Sequence, residues 1–330
     1  MTRSEIDFTV ERYSHSKKTE WNAFVRRAKN ATFLFQRDFM DYHSDRFQDF
    51  SLMVYRNGKL FALLPANTVA DKVISHQGLT YGSFVLSEKA KILDAFEAFR
   101  KMLIFLNEQG KKVLEVRLIP KFYNTLPADE LEYFCFQAKA TLKKRDVIMA
   151  IDYEHNLGFQ KNRREGINKA KRHGLKVKVE ENYKGFWEQI LIPNLQRKHD
   201  AEPVHTLSEI ERLAKKFPEN IKQVNVYDDT NTIVAGTTVF LTETTVHPQY
   251  VSGNQQKNTL GSLDLLYDFI MNEFKDDRRY FDFNTSSEEG GKVLSEGLLF
   301  WKESCGARAF SFDAYEMDTA MGDTLKIPLL

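Results

Sequence analysis

The segment His247-Pro-Gln-Tyr250, in the second half of the chain, brings together side chains that can move protons. An imidazole can accept a proton near neutral pH, and a phenol can donate one to a leaving group. In a regular strand His247 and Gln249 would share one face and Tyr250 would lie on the other. We therefore predict His247 as a catalytic base, Tyr250 as an acid and Gln249 as a substrate contact. A core histidine with satisfied hydrogen bonds and a packed tyrosine are the structural alternative.

A second polar stretch, Asn284–Gly291, follows the strand predicted at 280–284. If that strand is buried, the stretch would line the mouth of a cleft. Asn284 and Ser286 are then predicted to contact substrate, and Glu288 to act as a base. Turn and cap chemistry would explain the same residue types without a function.

Two cations are candidates for holding an anionic group of a substrate. Lys302 lies on a short predicted helix, and Arg164 lies in a basic helix predicted at 161–173. The planar guanidinium of arginine suits phosphate or carboxylate. The structural alternatives are that the charged helix is a solvated face, which is more common, and that a half-buried lysine extends its ammonium into water. His199 is a further candidate substrate contact. Since His199 and His205 lack the spacing of a ligand cluster, we predict no metal site.

The loop Asn254–Gly261 precedes a predicted helix at 260–274 and is the candidate donor site. The N–H groups and the dipole at a helix N-terminus can hold a pyrophosphate, and a lysine there adds charge. The predicted contacts are Asn254 for substrate and Lys257, Asn258 and Thr259 for the donor.

The elements that must position these residues occur twice. Trp21 and Trp187 each lie in an amphipathic stretch, 166 residues apart (187 − 21), and each is followed by apolar runs around turn residues. His76 and His247 then lie 171 residues apart (247 − 76) in the third run of each copy. A period of this length indicates domain duplication, since solenoid repeats are far shorter.

Each copy reads as helices, a three-stranded antiparallel meander, a helix and further strands. A meander joined to a parallel crossover predicts an α/β fold with a mixed sheet. We place the first domain at 1–154, as a scaffold or binding unit, and the second at 155–330, as the unit that carries the chemistry.

Composition excludes several classes of protein. The 47 basic and 46 acidic residues give a net charge of +1, so no global field favours nucleic acid or an anionic membrane. The N-terminus lacks the apolar run of a signal peptide, and no window offers about 18 consecutive apolar residues. Cys135 and Cys305 imply neither a disulfide framework nor a zinc site. These features predict a cytoplasmic protein without a membrane span.

Three segments of the second half resemble the FemAB family, whose members carry two domains like those of the GNAT N-acyltransferases. They are the basic helix Arg163–Gly174, the run Gly236–Gly253 with the helix after it, and Phe281-Asp-Phe-Asn-Thr-Ser-Ser287 continuing to Gly297-Leu-Leu-Phe-Trp-Lys-Glu-Ser-Cys-Gly306. The last is similar to the family's "fDFgtS … GL..fK..fG" ending. The order of elements extends the likeness over nearly the whole chain.

The resemblance implies transfer of an acyl or aminoacyl group to an amine, with acetyl-coenzyme A, another acyl-coenzyme A or an aminoacyl-tRNA as donor. The acceptor would be a small amine or a cell-wall precursor, and tRNA would be a partner in the second case. There is no room between Tyr183 and Ile221 for the family's long helical arm, which favours coenzyme A. The glycine fingerprint of acetyl-coenzyme A sites is also absent from Asn254–Gly261, which favours aminoacyl-tRNA.

A second hypothesis comes from another class of protein. The duplicated chain would be a scaffold without catalysis that binds a cell-wall precursor or nucleic acid, with the basic helix as its contact surface. The net charge near zero weakens the nucleic-acid version.

Overall fold

The chain forms two units whose bounds differ from the predicted division at residues 154 and 155. The computed structural model describes residues 7–329, except the side chains of residues 198 and 199. Unit 1 contains the residues up to Asp146, together with Glu289–Lys292 and Ser311 onward; unit 2 contains Val147–Glu288 and Val293–Phe310.

Strand pairing explains these bounds. The strand that ends at Asp152 pairs antiparallel with the strand that begins at Tyr280, so residues 147–154 belong to unit 2. The last strand pairs with Val113–Arg117 through Ala314 to Asp318, so the C-terminal residues belong to unit 1.

Unit 1 is built from two sets of strands and one long helix. Its elements are β1 (Phe8–Arg12), α1 (Lys18–Val25), α2 (Arg37–Met40), β2 (Leu52–Arg56), β3 (Lys59–Leu64), β4 (Asn67–Val69), β5 (Lys72–Ser75), β6 (Val85–Leu86), α3 (Ile92–Glu108), β7 (Val113–Arg117), α4 (Glu130–Gln137) and α12 (Met321–Thr324). Strands β8 (Thr141–Asp152) and β16 (Arg308–Asp318) contain the boundaries between the units. One sheet has the order β1-β2-β3-β6, and β4-β5-β7-β16 follow one another in a second.

Helix α3 provides the core of unit 1. Its apolar residues recur at helical spacing, and Phe99, Met102 and Leu103 are fully buried. The helix ends before Gly110, whose φ of 71° suits a residue without a Cβ. Asn57 and Gly58, both with positive φ, form the predicted turn between β2 and β3.

Unit 2 contains the more continuous sheet. Its elements are α5 (Lys161–Arg172), β9 (Lys176–Glu180), α6 (Tyr183–Phe186), α7 (Ile192–His199), α8 (Leu207–Lys216), β10 (Ile221–Tyr227), β11 (Ile233–Leu241), β12 (Thr245–Gly253), α9 (Lys257–Leu260), α10 (Ser262–Glu273), β13 (Tyr280–Thr285), β14 (Ser287–Glu288), β15 (Val293–Leu294) and α11 (Glu296–Ser304). The strand order is β8-β13-β12-β11-β10-β9, and β14 and β15 form a separate ribbon.

The core of unit 2 lies between this sheet and α10. Val239, Val246 and Phe281 face it from the strands, and Leu266 and Ile270 face it from the helix. The opposite face of the sheet carries buried polar side chains.

Helix α5 packs closely on the start of α10 because a glycine lies on each side of the contact. A Cβ on Gly261 would lie 2.2 Å from the carbonyl oxygen of Gly166, and a Cβ on Gly166 would lie 1.8 Å from Oδ2 of Asp264. Arg163 Nη1 also lies 2.7 Å from Oδ1 of Asp264, which fixes the pair of helices.

Two helical segments of unit 2 are interrupted. The first is divided into α6, a π-helical turn at Trp187–Leu191 and α7. The helix predicted at 260–274 is split by Gly261, with φ of 69°, into α9 and α10.

Helix α8 begins with a capping box. The hydroxyl of Thr206 accepts the N–H of Glu209, and the Glu209 carboxylate accepts the N–H of Thr206.

Regular structure continues beyond Met317. Strand β16 runs to Asp318, α12 follows, and Leu325 is buried in the core of unit 1.

Candidate active site in unit 2

A gap opens between β12 and β13 at the predicted histidine. The strands are parallel neighbours, and their pairing consists of Thr245 with Tyr280 and Val246 with Phe281. The next residues along the two strands are His247 and Asp282. In open α/β sheets ligands enter where neighbouring strands part at their carboxyl ends, so this position is the natural floor of a site.

His247 and Asp282 form a buried pair at that point. Nδ1 of His247 lies 2.9 Å from Oδ2 of Asp282, and each side chain is 4% exposed. Nδ1 makes no hydrogen bond of standard geometry with the described residues, so the two side chains are in close contact without one. On the other side of the ring, Nε2 lies 3.0 Å from Oε1 of Gln249. The imidazole therefore lies between a buried carboxylate and a half-buried amide.

A β-bulge places Tyr250 on the face that carries His247, and the prediction of opposite faces was wrong. On β11, Phe240 pairs with His247 and Thr238 pairs with Tyr250, so Gln249 is an extra residue in β12. An extra residue shifts the alternation by one position.

The hydroxyl of Tyr250 is already engaged. It lies 2.5 Å from Nδ1 of His205, and the Tyr250 ring packs edge-on against Trp187. Burial raises the pKa of Tyr250 to about 12. The tyrosine therefore belongs to a buried aromatic and imidazole cluster along the same sheet face.

Lys302 is a buried cation beside the end of β13. Its ammonium donates to the carbonyl oxygens of Asn284, at 3.0 Å, and Thr285, at 2.6 Å. Burial lowers the pKa of Lys302 to about 8, and attraction to Asp282 partly opposes that shift. A lysine with this pKa can supply positive charge at neutral pH and lose its proton just above it.

The loop after β13 is shaped by its own polar groups. Asn284 has a φ of 65°, and its N–H donates to Oδ1 of Asp282 over 2.6 Å. Ser286 is 1% exposed, and its hydroxyl has no hydrogen-bond partner within the described part of the chain. Glu288 lies on the exposed ribbon strand β14, where it pairs with Val293. The loop thus brings Asn284 and Ser286 toward the Lys302 region and leaves Glu288 on the surface.

The predicted donor loop forms a turn and a four-residue helix. Oδ1 of Asn254 accepts the N–H of Gln256, and α9 then carries Lys257, Asn258 and Thr259. The carbonyl oxygen of Asn258 accepts from Lys169 of the basic helix over 3.2 Å.

The longer helix α10 offers a poor anion pocket at its start. Gly166 lies against Gly261, and Asp264 places a half-buried carboxylate in the first turn. Burial raises the pKa of Asp264, and Arg163 opposes that shift. A negative group at a helix N-terminus already satisfies the dipole there.

Two further predicted residues lie elsewhere. Arg164 is exposed on α5 and donates to the carbonyl oxygen of Phe159 over 2.8 Å. His199 ends α7, and its side chain is outside the described part of the structure.

Sequence reasoning missed Asp282 and His205 as members of the site. Asp282 stands between Phe281 and Phe283, and a carboxylate between two aromatic residues in a buried strand is itself a signal of function or pairing. The missing information was the parallel register, which sets Asp282 beside His247. His205 gives no such signal, because it lies in the loop before α8, 45 residues from Tyr250.

Solved structures match this fold across the chain at low sequence identity. FemX matches with a TM-score of 0.65 and 12% identity over 93% of this chain and 96% of its own. The C-terminal domain of a protein assigned as a lysylphosphatidylglycerol synthetase from Agrobacterium fabrum matches with a TM-score of 0.60 and 12% identity, over 94% of this chain and 96% of its own. L-PGS from Bacillus licheniformis matches with a TM-score of 0.53 and 12% identity, over 80% of this chain and 84% of its own.

No protein-family model matches the sequence, and no curated protein does. Within residues 7–329, none of the helices combines the length and apolar character needed to cross a bilayer. At these identities the structural likeness concerns the fold. The chain has the fold of FemX, and its mixed sheet agrees with the α/β fold predicted from the sequence.

Proposed function

We propose that this protein is an N-acyltransferase that moves an acyl or aminoacyl group onto an amine, with its reaction centre at His247, Asp282 and Lys302. The observation that carries the proposal is the His247–Asp282 pair, buried where β12 and β13 stop pairing. A buried imidazole and carboxylate on strand ends are groups that proton transfer requires. The fold shared with FemX supports the same class of reaction.

The reaction needs a neutral amine and a stabilised oxyanion. His247 takes a proton from the attacking ammonium, and Asp282 orients the ring and stabilises the imidazolium that forms. The neutral amine nitrogen attacks the carbonyl carbon, and the bond from that carbon to the donor oxygen or sulfur breaks. The second proton that the nitrogen loses on acylation passes to the leaving group, and the imidazolium of His247 releases its proton to water.

Lys302 supplies positive charge for the oxyanion or for an anionic part of a substrate. Its ammonium is held by the carbonyl oxygens of Asn284 and Thr285, so it is fixed before the reaction begins. In this scheme Asn284, Ser286 and Gln249 contact substrate at the mouth of the gap.

We propose an aminoacyl ester, carried by tRNA, as the donor, and an acyl-coenzyme A as the alternative. The crowded start of α10, with Gly166 against Gly261 and a carboxylate at Asp264, argues against a pyrophosphate there. The exposed cations of α5, including Arg164, would suit a phosphate backbone. The acceptor is an amine, with a cell-wall precursor as the first candidate because the fold is that of FemX.

Two calorimetric titrations test the donor. We expect aminoacyl-tRNA to bind more tightly than the same tRNA without its amino acid, and acetyl-coenzyme A to give no heat above dilution. Binding of acetyl-coenzyme A alone would reverse the choice of donor. Binding of neither, together with no transfer to an amine, would contradict the enzyme proposal and favour the scaffold hypothesis.

A further inference from the structure

A second cavity in unit 2 lies away from the histidine pair, against β9, β10 and α8. Its volume is about 670 Å³, within the range of small-molecule sites. Its apolar wall consists of Val179, Ala214, Pro218 and Ile221. Such a wall can cover an aliphatic chain of several carbons.

Two carboxylates face this cavity without a counterion. Glu181 follows β9 and Glu211 lies on α8, and both line the cavity. Neither forms an ion pair or a hydrogen bond through its carboxylate among the residues that the structure describes. Burial, with Glu181 and Glu211 adding to it, raises the pKa of the Tyr183 hydroxyl to about 12. Both carboxylates therefore act on the Tyr183 hydroxyl, and a cation bound on that side of the cavity would meet two negative charges.

The remaining polar groups of the cavity are already satisfied. The amide of Gln223 accepts from Thr238 over 2.8 Å and donates to Asn225 over 2.8 Å. Asn225 in turn donates to Glu180 over 2.7 Å, and Tyr227 donates to the same oxygen. This buried chain forms a fixed floor and uses Glu180, which leaves Glu181 and Glu211 for a ligand.

The cavity also contains a cation that can bind the opposite end of a ligand. Lys215, one turn after Glu211 on α8, is exposed and forms no ion pair in the described structure. Lys222, the other lysine of the lining, lies 3.9 Å from Glu219. The arrangement offers negative charge, an apolar wall and positive charge in one site.

We propose that this cavity binds a basic amino acid or the equivalent residue of a peptide. The side-chain ammonium lies between Glu181 and Glu211, the aliphatic stem lies on Pro218 and Ile221, and the carboxylate faces Lys215. The site is separate from the gap between β12 and β13, so it binds its ligand whether or not the transfer reaction is the one proposed above.

L-lysine and L-norleucine test the proposal by calorimetry. They differ chiefly in the terminal ammonium, so we expect lysine to bind and norleucine to bind at least about tenfold more weakly, as expected for loss of charged hydrogen bonds. Glu211→Gln should weaken lysine binding by about tenfold or more and leave norleucine unaffected. Glu188→Gln is the matched control, because Glu188 is exposed and does not line the cavity.

Glu181→Gln provides a second variant at an exposed position, which should fold even if the substitution on α8 disturbs the helix. It should weaken lysine binding in the same direction. The proposal is overturned if lysine does not bind, if norleucine binds equally well, or if both glutamine variants bind lysine as the wild type does.

Discussion

The two copies differ at one pair of positions that their strands make equivalent. In unit 1, β5 and β7 are parallel neighbours, and their last pair is Ser75 with Val116; His76 and Arg117 come next. In unit 2 the last pair is Val246 with Phe281, and His247 and Asp282 come next. Both copies keep the histidine, but only the second places a carboxylate beside it.

The chain after each histidine also differs. In unit 1 it turns back, and the N–H of Gly82 donates to the carbonyl oxygen of Arg117 over 3.0 Å. Leu79, Tyr81 and Phe84 are buried in this turn. In unit 2, β12 continues from His247 to Gly253 as a strand. In the first copy a turn therefore follows the histidine at the point where the parallel strands stop pairing. In the second copy the strand continues there and forms no such turn.

The surroundings of the histidines follow from this difference. The ring of His76 stacks on that of His43, with centroids 5.1 Å apart, and burial followed by repulsion from His43 lowers the pKa of His76 to about 3. A buried histidine held neutral beside a second imidazole serves packing, whereas a histidine beside a buried carboxylate has a partner for proton transfer. A duplicated fold can thus keep a residue and lose its function by changing its neighbour.

The largest expected effect follows from Asp282→Asn. The amide keeps an acceptor for the N–H of Asn284 but removes the charge beside His247, so transfer should slow by about 10²–10⁴-fold. Single-turnover rates measure this effect. Arg117→Gln, at the equivalent position of unit 1, is the control and should stay within about twofold of the wild-type rate. Equal losses in both variants would remove the distinction between the copies.

Lys302→Met should slow transfer by about 10²–10³-fold, as loss of one oxyanion-stabilising group does. Because the pKa of Lys302 is about 8, the wild-type rate should fall by about tenfold per pH unit above that value as the ammonium loses its proton. Lys302→Arg keeps the charge at higher pH, so its rate should stay level there. If the rate of the arginine variant falls above pH 8 as the wild-type rate does, the fall is due to a group other than Lys302.

Acid should destabilise the protein through His76. Its pKa is about 3 in the folded protein and 6.5 unperturbed, so the unfolded state binds the proton more readily between these values. The free energy of unfolding should therefore fall as the pH drops from 6.5 toward 3, by up to about 1.4 kcal/mol per unit.

Denaturation at pH 7 and pH 5 measures this dependence in the wild type, in His76→Gln and in His173→Gln, an exposed control. We expect a shallower dependence only in His76→Gln. An equal dependence in all three proteins would show that His76 does not contribute.

A further comparison concerns glycines beside the helices of the two copies. Gly261 and Gly110 both have positive φ, but only a Cβ on Gly261 meets another backbone, that of Gly166. Gly110→Ala should cost about 1 kcal/mol, and Gly261→Ala about 1–3 kcal/mol more, in the free energy of unfolding. Equal losses would mean that α5 moves away from α10 without cost.

The sequence predicted the meander of unit 2 because its periodicities and turn residues are local. In unit 1 the predicted meander is not formed, because β5 pairs with β4 and β7 and not with β3. The meander of unit 2, helix α5 and the turn at Asn57 and Gly58 were confirmed with bounds within two residues. The interruptions were missed, since the bulge at Gln249 and the π-helical turn at Trp187 depend on packing against neighbouring elements.

The candidate site was predicted only in part for the same reason. His247 and Lys302 carry recognisable chemistry in recognisable positions. The contribution of Asp282 depends on the parallel register, and that of His205 on a loop 45 residues away from Tyr250. Residues that act through tertiary contacts leave little trace in the spacing of one sequence.

The central claim is that the second copy carries the reaction, and the matched histidines test it most directly. We would measure single-turnover transfer from an aminoacyl-tRNA to an amine by His247→Ala and His76→Ala, each checked for folding by circular dichroism. The account predicts a loss of about 10²–10⁴-fold for His247→Ala and a rate within about twofold of the wild type for folded His76→Ala. Full activity in His247→Ala, or a comparable loss in folded His76→Ala, would contradict it.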